Sequence, residues 1–183
     1  DSSVVADAFQ DVNHRPMGDV AQSITLINGK YFVAMNNSKK IEIIDPVTFK
    51  SVGTILYTQA GYPRQVVPIS STEAIVSDLN RQLVRIRTVA PYGTPLEYIS
   101  IPRWVEYLVV TENKVFGMTQ GGLYGFDIDD IKKDKARVIK DIYNEVYTKT
   151  CQMLVDKRGM IWGLMNQKEG GKVTGVTFKG VDP

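Results

Sequence analysis

The sequence predicts an all-β fold, a β-propeller of four-stranded blades. Three observations support this fold class. First, a pair of short apolar strands around a polar turn occurs four times. Second, the spacing between successive copies is about 40 to 50 residues. Third, a polar residue precedes each pair at a constant distance. Four modules are visible, and we expect them to belong to a larger ring.

The clearest strand pair lies at 31–45, where the sequence is YFVAMNNSKKIEIID. An apolar run over 32–35 gives way to Asn36, Asn37 and Ser38, whose side chains favour turns by bonding their own backbone. The residues at 41–45 then alternate at the period of two that a pleated strand imposes. The pattern returns at 74–87, 115–127 and 161–176.

One apolar or aromatic position keeps its register through the four strand pairs. It recurs at spacings of 43, 41 and 46 residues and holds Phe32, Ile75, Phe116 and Trp162. A polar residue stands ten positions ahead of each: Gln22, Gln65, Glu106 and Gln152. An ordinary β-sandwich with regular strand spacing is the alternative. Because both positions hold their offset in all four units, we favour the propeller.

The predicted blades occupy about 22–57, 64–101, 105–143 and 151–178, within a propeller region at 22–183. The fourth lacks a clear outer strand.

The lead-in segment at 1–21 has apolar residues at helical spacing, which predicts a short amphipathic helix within 4–14, or alternatively a strand over 3–6. An open arc would expose apolar blade faces. We therefore expect those faces to pack against more propeller, from another chain or from a missing part.

Composition excludes several classes of protein. The chain has 22 basic and 20 acidic residues and a net charge of +2, which argues against a nucleic-acid binder with a clustered basic face. No apolar run approaches the length of a membrane span. A single cysteine rules out an intramolecular disulfide. The first residue is Asp1 rather than Met, which either a removed export signal or a trimmed sequence would explain.

Local motifs for catalysis or metal binding are missing from the sequence. A zinc site needs three or four nitrogen or sulfur ligands, and His14 and Cys151 are the only histidine and cysteine. We expect an exposed or capping histidine and a buried free thiol. The glycine pairs at 121–122 and 170–171 lack the frame of a phosphate loop and are expected in hairpin turns.

The acidic residues Asp127, Asp129 and Asp130 follow a strand end and are expected to cap turns, with calcium binding as the alternative. We therefore predict no catalytic residue, no metal and no cofactor. The rival class is a propeller lyase or a quinone-dependent dehydrogenase, whose sites are also built from residues at the channel mouth.

The candidate binding residues follow from propeller geometry. The first strand of each blade lines the central channel, so the four polar residues of the series should form a ring. They either meet a ligand or bond the backbone of neighbouring blades. The junctions between blades add four more candidates on the same face: Tyr62, Arg64, Arg103 and Trp104. Such side chains suit a polar organic ligand and equally a protein partner.

The segment NGKYFVAMNNSKKIEIIDPVTFKSVGTI resembles the YVTN-type, surface-layer-like β-propeller repeat. The preceding N-x-R-x-x-G-D-x-A-Q motif is similar to the opening of secreted propellers of gut bacteria, which include cobalamin-binding surface proteins. It comprises Asn13, Arg15, Gly18, Asp19, Ala21 and Gln22. The resemblance implies a larger, exported and often lipid-anchored binding protein without catalytic activity, in the periplasm or at the cell surface. It does not identify the ligand.

Together these observations predict a secreted or surface binding protein that holds a small polar organic ligand at the channel mouth. The alternative is a scaffold that contacts a partner protein through the same face. A corrinoid, a glycan and a peptide all remain open as ligands. We expect no nucleic-acid partner and no membrane span in this sequence, with a lipid anchor, if present, outside it.

Overall fold

The computed structural model describes residues 5–119, 122–135, 137–143, 147–169, 172–181 and 183. Side chains are described for these residues except at 140–143, 147–151, 165–169, 172–179 and 181. The described chain forms four antiparallel sheets, and in each sheet the strands are neighbours in chain order. This arrangement confirms the predicted fold class.

We call the four sheets blades one to four. Blade one contains β1 (Ala21–Ile27), β2 (Lys30–Met35), β3 (Lys40–Ile44) and β4 (Ser51–Leu56). Blade two contains β5 (Pro63–Pro68), β6 (Glu73–Asp78), β7 (Gln82–Arg87) and β8 (Glu97–Ser100). Blade three contains β9 (Tyr107–Thr111), β10 (Lys114–Thr119), β11 (Gly122–Asp127) and β12 (Val138–Tyr143). Blade four contains β13 (Tyr147–Val155), β14 (Ile161–Glu169) and β15 (Lys172–Val181).

Blade four differs from its predicted bounds of 151–178. Its first strand begins at Tyr147, four residues early, and its last strand continues to Val181. Register shifts at 147–149 and 150–152 interrupt the pairing of β13 with β14. Such irregularities break the alternation of polar and apolar residues by which a strand is recognised in sequence. Within the described chain this sheet has three strands.

The recurring apolar position is where each blade packs on the next. Phe32 belongs to a buried cluster shared by blades one and two, Ile75 to one shared by blades two and three, and Phe116 to one shared by blades three and four. All three side chains are fully buried. Burial of a side chain of this size is worth about 1.5–3 kcal/mol. The constant offset in sequence therefore reflects repeated packing between neighbouring sheets.

Two short helices accompany the sheets within the described ranges. The first, α1 (Ala8–Asn13), lies within the predicted range of 4–14 and buries Phe9 against Val33, Met35 and Ile44 of blade one. The second, α2 (Ile128–Ile131), is a single helical turn that was not predicted from the sequence. Its N-cap is Asp127, whose carboxylate accepts hydrogen bonds from the backbone of Asp129 and Asp130. The expected capping role of Asp127 is thus confirmed.

The N-x-R-x-x-G-D motif holds the lead-in segment on blade one. Asn13 accepts a hydrogen bond of 2.7 Å from the backbone of Ser51 and donates one of 2.9 Å to the carbonyl of Phe49. Gly18 adopts a φ of 144°, and the next residue, Asp19, donates its backbone N–H to the hydroxyl of Ser38 at 2.7 Å. The motif therefore has a structural role at these positions.

No helix in the described part of the chain has both the length and the apolar character needed to cross a membrane.

Candidate functional site

The inner strands of the four blades lie side by side in the order β1, β5, β9 and β13. A cavity of about 190 Å³ is bounded by residues near the start of the first three strands and in the middle of the fourth. Its lining consists of Gln22, Ser23, Arg64, Gln65, Glu106, Tyr107, Gln152 and Met153. The structure thus brings the whole predicted polar series, together with Arg64, to one place.

Arg64 and Glu106 form an ion pair across the junction of blades two and three. The guanidinium of Arg64 donates a hydrogen bond to Oε1 of Glu106, and both side chains are largely shielded from solvent. The cavity therefore contains a positive and a negative group that compensate each other. Such a site offers no strong net attraction to either an anion or a cation.

Gln65 connects two blades. Its side-chain oxygen accepts a 2.6 Å hydrogen bond from the backbone N–H of Leu108 in β9. Its own backbone N–H donates to Ser77, whose hydroxyl donates in turn to the carbonyl of Glu106 at 2.7 Å. The side chain of Gln65 therefore bonds to the backbone of the neighbouring blade.

Three other polar side chains of the cavity have no hydrogen-bond partner in the described part of the chain. The amides of Gln22 and Gln152 make no side-chain hydrogen bond to any other described residue, and the buried hydroxyl of Ser23 has no hydrogen-bond partner within the same part of the chain. A buried polar group without a partner costs about 1–3 kcal/mol. A ligand that bonded to the Ser23 hydroxyl would remove that cost.

The remaining predicted residues lie outside the cavity lining. Tyr62 is 44% exposed and has the ammonium of Lys39 at 5.9 Å from its ring centroid. The guanidinium of Arg103 lies 5.5 Å from the ring centroid of Tyr124 in blade three, and Trp104 is half-buried in the same junction loop. The predicted single site is therefore divided into a cavity and a set of junction residues. Arg103 contacts Tyr124 of blade three and does not line the cavity.

Three lining residues were missed in the sequence: Ser23, Tyr107 and Met153. Each directly follows a member of the polar series. Register shifts occur at 21–23 in β1, at 63–66 in β5 and at 150–152 in β13. A bulge lets consecutive side chains approach the same side of a strand, which accounts for Ser23 beside Gln22 in β1. The pairing of β9 shows no such shift at Tyr107. No local sequence signal marks these shifts.

A buried carboxylate lies at the junction of blades one and two. Asp78 is fully buried and accepts hydrogen bonds from the backbone of Tyr62 at 2.8 Å and Asn80 at 2.7 Å. Burial raises the pKa of Asp78, while these hydrogen bonds act in the opposite direction. Gly61 packs so closely on this carboxylate that a Cβ there would lie 2.7 Å from Oδ2. Asp78 thus holds the loop that carries Tyr62.

The remaining predicted features form no further site among the described residues. His14 is the C-cap of α1 in the left-handed region, with a φ of 54°. Among the residues that the structure describes, no group of three or more His, Cys, Asp or Glu side chains is placed to hold a metal ion. The side chain of Cys151, and Gly121, Gly170 and Gly171, lie outside the described part of the chain.

No protein-family profile matches the chain, and no curated protein sequence matches it significantly. Among solved structures, the chain is similar to the WD40 β-propeller domain of Doa1, with a TM-score of 0.63 and 11% sequence identity. The match covers 86% of this chain and 53% of that one, so this chain spans about half the length of the propeller it resembles. At this identity the likeness concerns the fold alone.

Proposed function

We propose that the protein is a non-catalytic binding protein that holds a small, polar, uncharged organic ligand in the cavity at the inner strands. The observation that carries the proposal is the buried hydroxyl of Ser23, which has no hydrogen-bond partner among the described residues and lies in the cavity lining with the amides of Gln22 and Gln152. Amides and hydroxyls both donate and accept hydrogen bonds. They suit a ligand that carries hydroxyl or amide groups of its own.

The dimensions of the cavity limit what can enter it. Its volume of about 190 Å³ lies below the range of about 300–1,000 Å³ that is usual for drug-sized ligands. The Arg64–Glu106 pair leaves no excess charge, while Tyr107 and Met153 provide apolar surface. A single sugar residue or a peptide amide matches these features. A corrinoid could insert only a peripheral amide group.

We extend the proposal to the class and location of the protein. The N-x-R-x-x-G-D-x-A-Q motif and the repeat at 28–55 support a YVTN-type, surface-layer-like propeller that is exported to the periplasm or the cell surface. The fold similarity to another propeller agrees with a role in binding or as a scaffold.

A second candidate function is a protein-interaction scaffold. Tyr62 and Trp104 lie in the junction loops between blades, and Tyr62 is 44% exposed beside Lys39. Aromatic residues near a cationic side chain are common binding hot spots in protein interfaces.

A propeller lyase or quinone-dependent dehydrogenase is the rival from another class. Elemental analysis and an absorption spectrum would reveal its metal or quinone.

A thermal-shift screen tests the binding proposal. We would measure the unfolding midpoint with monosaccharides, short peptide amides and corrinoids, with nucleotides as an anionic comparison. A ligand that binds only the folded state should stabilise it by about 2.7 kcal/mol at a hundred times its dissociation constant. The ligands found would then be titrated by calorimetry against Gln22→Ala and Gln152→Ala. We expect each variant to weaken binding by about two- to tenfold, since a lost hydrogen bond is worth about 0.5–1.5 kcal/mol.

The matched control is Gln59→Ala, because Gln59 is exposed in a loop outside the cavity lining. It should bind like the unaltered protein. Full binding by both cavity variants would show that the ligand occupies another place. A screen without any shift, combined with capture of a partner protein that Tyr62→Ala abolishes, would favour the scaffold function.

A further inference from the structure

The loop at 57–62, which joins blade one to blade two, is held in place by side chains of blade two. We call it the first junction loop. The carboxylate of Asp78 accepts a hydrogen bond of 2.8 Å from the backbone of Tyr62, near the end of the loop. The hydroxyl of Tyr98 accepts one of 2.8 Å from the backbone of Thr58, near its start. Both ends of the loop are therefore tied to the same blade.

The middle of the first junction loop is fixed as well. The side-chain amides of Asn80 and Gln82 both donate to the carbonyl of Ala60, each at 3.0 Å. The next residue, Gly61, lies so close to the ring of Tyr57 that a Cβ there would be 2.8 Å from it. A surface that is already ordered loses little conformational freedom when a partner binds, which favours affinity.

The first junction loop presents an aromatic ring to solvent. The side chain of Tyr62 is 44% exposed, and the ammonium of Lys39 lies 5.9 Å from the centroid of its ring. Tyrosine is one of the residue types that most often dominate binding in protein interfaces. Its ring offers a rigid apolar surface, and its hydroxyl can form a hydrogen bond.

A basic residue occupies the same turn position in blades one and two. Lys39 directly precedes β3 and Arg81 directly precedes β7, and both side chains are exposed. Both backbones are left-handed, with φ values of 50° and 56°. Each carbonyl accepts a hydrogen bond from the first residue after the outer strand of its blade, Tyr57 at 3.0 Å and Ile101 at 2.9 Å. The repeat thus places cations on corresponding turns.

Both cationic turns contact the first junction loop. Tyr57, which bonds to the carbonyl of Lys39, is the first residue of the loop. At the other end, the carbonyl of Tyr62 accepts a hydrogen bond of 3.3 Å from the backbone of Leu79, two residues before Arg81. The loop that carries the exposed ring is therefore bordered by a positive side chain from each of two blades.

The exposed charge of these turns is mainly positive. Lys39 and Arg81 form no ion pair within the described part of the chain. Of the acidic side chains near them, Asp78 is fully buried beneath the loop. Asp19 is exposed but already accepts a hydrogen bond of 2.9 Å from Asn37. Surfaces with one sign of charge favour partners of the opposite sign.

We propose that the first junction loop and its two cationic turns form a docking site for an acidic peptide segment of a partner protein. Carboxylates of the segment pair with Lys39 and Arg81, and an apolar or aromatic side chain packs on the ring of Tyr62. An extended chain fits this surface because the two cations stand on turns of different blades. The inference rests on the scaffold function given above as the second candidate and adds the chemistry of the partner.

Selection from a random peptide library displayed on phage tests the proposal. The unaltered protein should enrich peptides that carry acidic residues beside an aromatic or large apolar residue. The double variant Lys39→Glu, Arg81→Glu should enrich basic peptides instead, because it reverses the charge of both turns. Both side chains are exposed, so its thermal midpoint should change little. The same acidic peptides enriched by both proteins would overturn the proposal.

Fluorescence anisotropy with an enriched peptide measures the separate contributions. Tyr62→Ala should weaken binding by more than about fivefold, as a hot-spot residue does. Lys39→Gln and Arg81→Gln should each weaken it by about two- to fivefold, the range of exposed charge pairs. The matched control is Arg87→Gln, since Arg87 is an exposed cation at the other end of β7. An equal loss in the control would show attraction to charge in general and contradict the assigned site.

The outcomes separate this inference from the functions proposed above. Enriched peptides without acidic residues that still require Tyr62 would overturn the acidic partner and leave the scaffold function standing. Peptides whose binding is lost in Gln152→Ala and kept in Tyr62→Ala would occupy the cavity, which would also overturn the docking site. Equally tight binding of a single-stranded oligonucleotide would show that the turns do not select a peptide. A library without any enrichment would count against both the docking site and the scaffold function.

Discussion

The guanidinium of Arg15 makes a two-point contact with the carboxylate of Glu42, at 2.7 Å and 3.2 Å. The side chain of Glu42 is fully buried, whereas that of Arg15 is 40% exposed. Lys40 and Ser51 donate to the same carboxylate. The contact ties the lead-in segment to β3 of blade one. It also explains why a charged residue stands on a blade face that is otherwise apolar.

Removal of Arg15 should loosen the lead-in segment. Breaking a fully buried ion pair by loss of one partner costs about 3–5 kcal/mol. Because Arg15 is partly exposed and Lys40 still faces Glu42, we expect Arg15→Ala to lower the free energy of unfolding by about 1–3 kcal/mol in urea denaturation. Arg158→Ala is the matched control, since Arg158 is paired with Asp156 but is 76% exposed. An exposed pair is worth about 0–1 kcal/mol. Equal losses in the two variants would contradict the assigned role.

The Glu42 carboxylate should make stability depend on pH in the acidic range. Burial acts to raise its pKa, but the hydrogen bonds from Arg15, Lys40 and Ser51 outweigh it and hold the pKa below the ordinary value of 4.5. The ionised group then stabilises the fold above about pH 4.5, and this stabilisation is lost as the pH falls through the lower folded-state pKa. Glu42→Gln should therefore show a flatter decline in stability below pH 4.5.

The measurement is the free energy of unfolding from pH 7 to pH 2 for both proteins. The hydrogen bond from Trp162 is the main reason why the pKa of Asp156 is lowered to about 2. Asp156 is present in both proteins, so its contribution to the pH dependence of the free energy of unfolding is the same in the two curves. Parallel curves for the two proteins would show that Glu42 contributes nothing to the acid response.

Packing between blades should dominate stability. Ile75 is fully buried between blades two and three, and loss of a large aliphatic side chain at such a site costs about 2–5 kcal/mol. We expect Ile75→Ala to lower the free energy of unfolding by that amount, as measured by denaturant titration. Ile139→Ala removes the same atoms from a position that is 39% exposed. A comparable loss there would show that contacts between blades are not the main source of stability.

Gln65 and Gln22 should respond differently to the same substitution, although they are equivalent in the polar series. Gln65→Ala deprives the backbone N–H of Leu108 of its acceptor, and a buried group left unsatisfied costs about 1–3 kcal/mol. Gln22 makes no corresponding contact among the described residues, so Gln22→Ala should change stability by less than about 0.5 kcal/mol. Thermal unfolding of the two variants without ligand measures the difference. Equal effects would show that the series has one common role.

The repeat and its period were sufficient to predict the architecture. Phe32, Ile75 and Phe116 keep their offset because every blade must cover its neighbour with the same strand positions. The start of blade four could not be located because bulges in β13 break the alternation on which a strand assignment depends. The turn α2 was missed because four residues are too few to show a helical period.

The candidate site was predicted only in part. The polar series and Arg64 were correctly placed together, since equivalent positions on the inner strands of a propeller lie around one axis. Tyr62, Arg103 and Trp104 were grouped with them, but they lie outside the cavity lining. Loop side chains are directed by their local contacts, such as that of Arg103 with Tyr124, and no periodicity predicts those contacts.

The sequence by itself determined which faces of each blade are apolar and which positions on the inner strands are polar, because a strand alternates its side chains with a period of two. Only the tertiary structure decided what those positions do. Burial and hydrogen bonding are properties of a position among its neighbours. The blades give Gln65 a backbone partner and leave the hydroxyl of Ser23 without one among the described residues. They bury Val66, while its equivalent Ile24 is exposed on blade one.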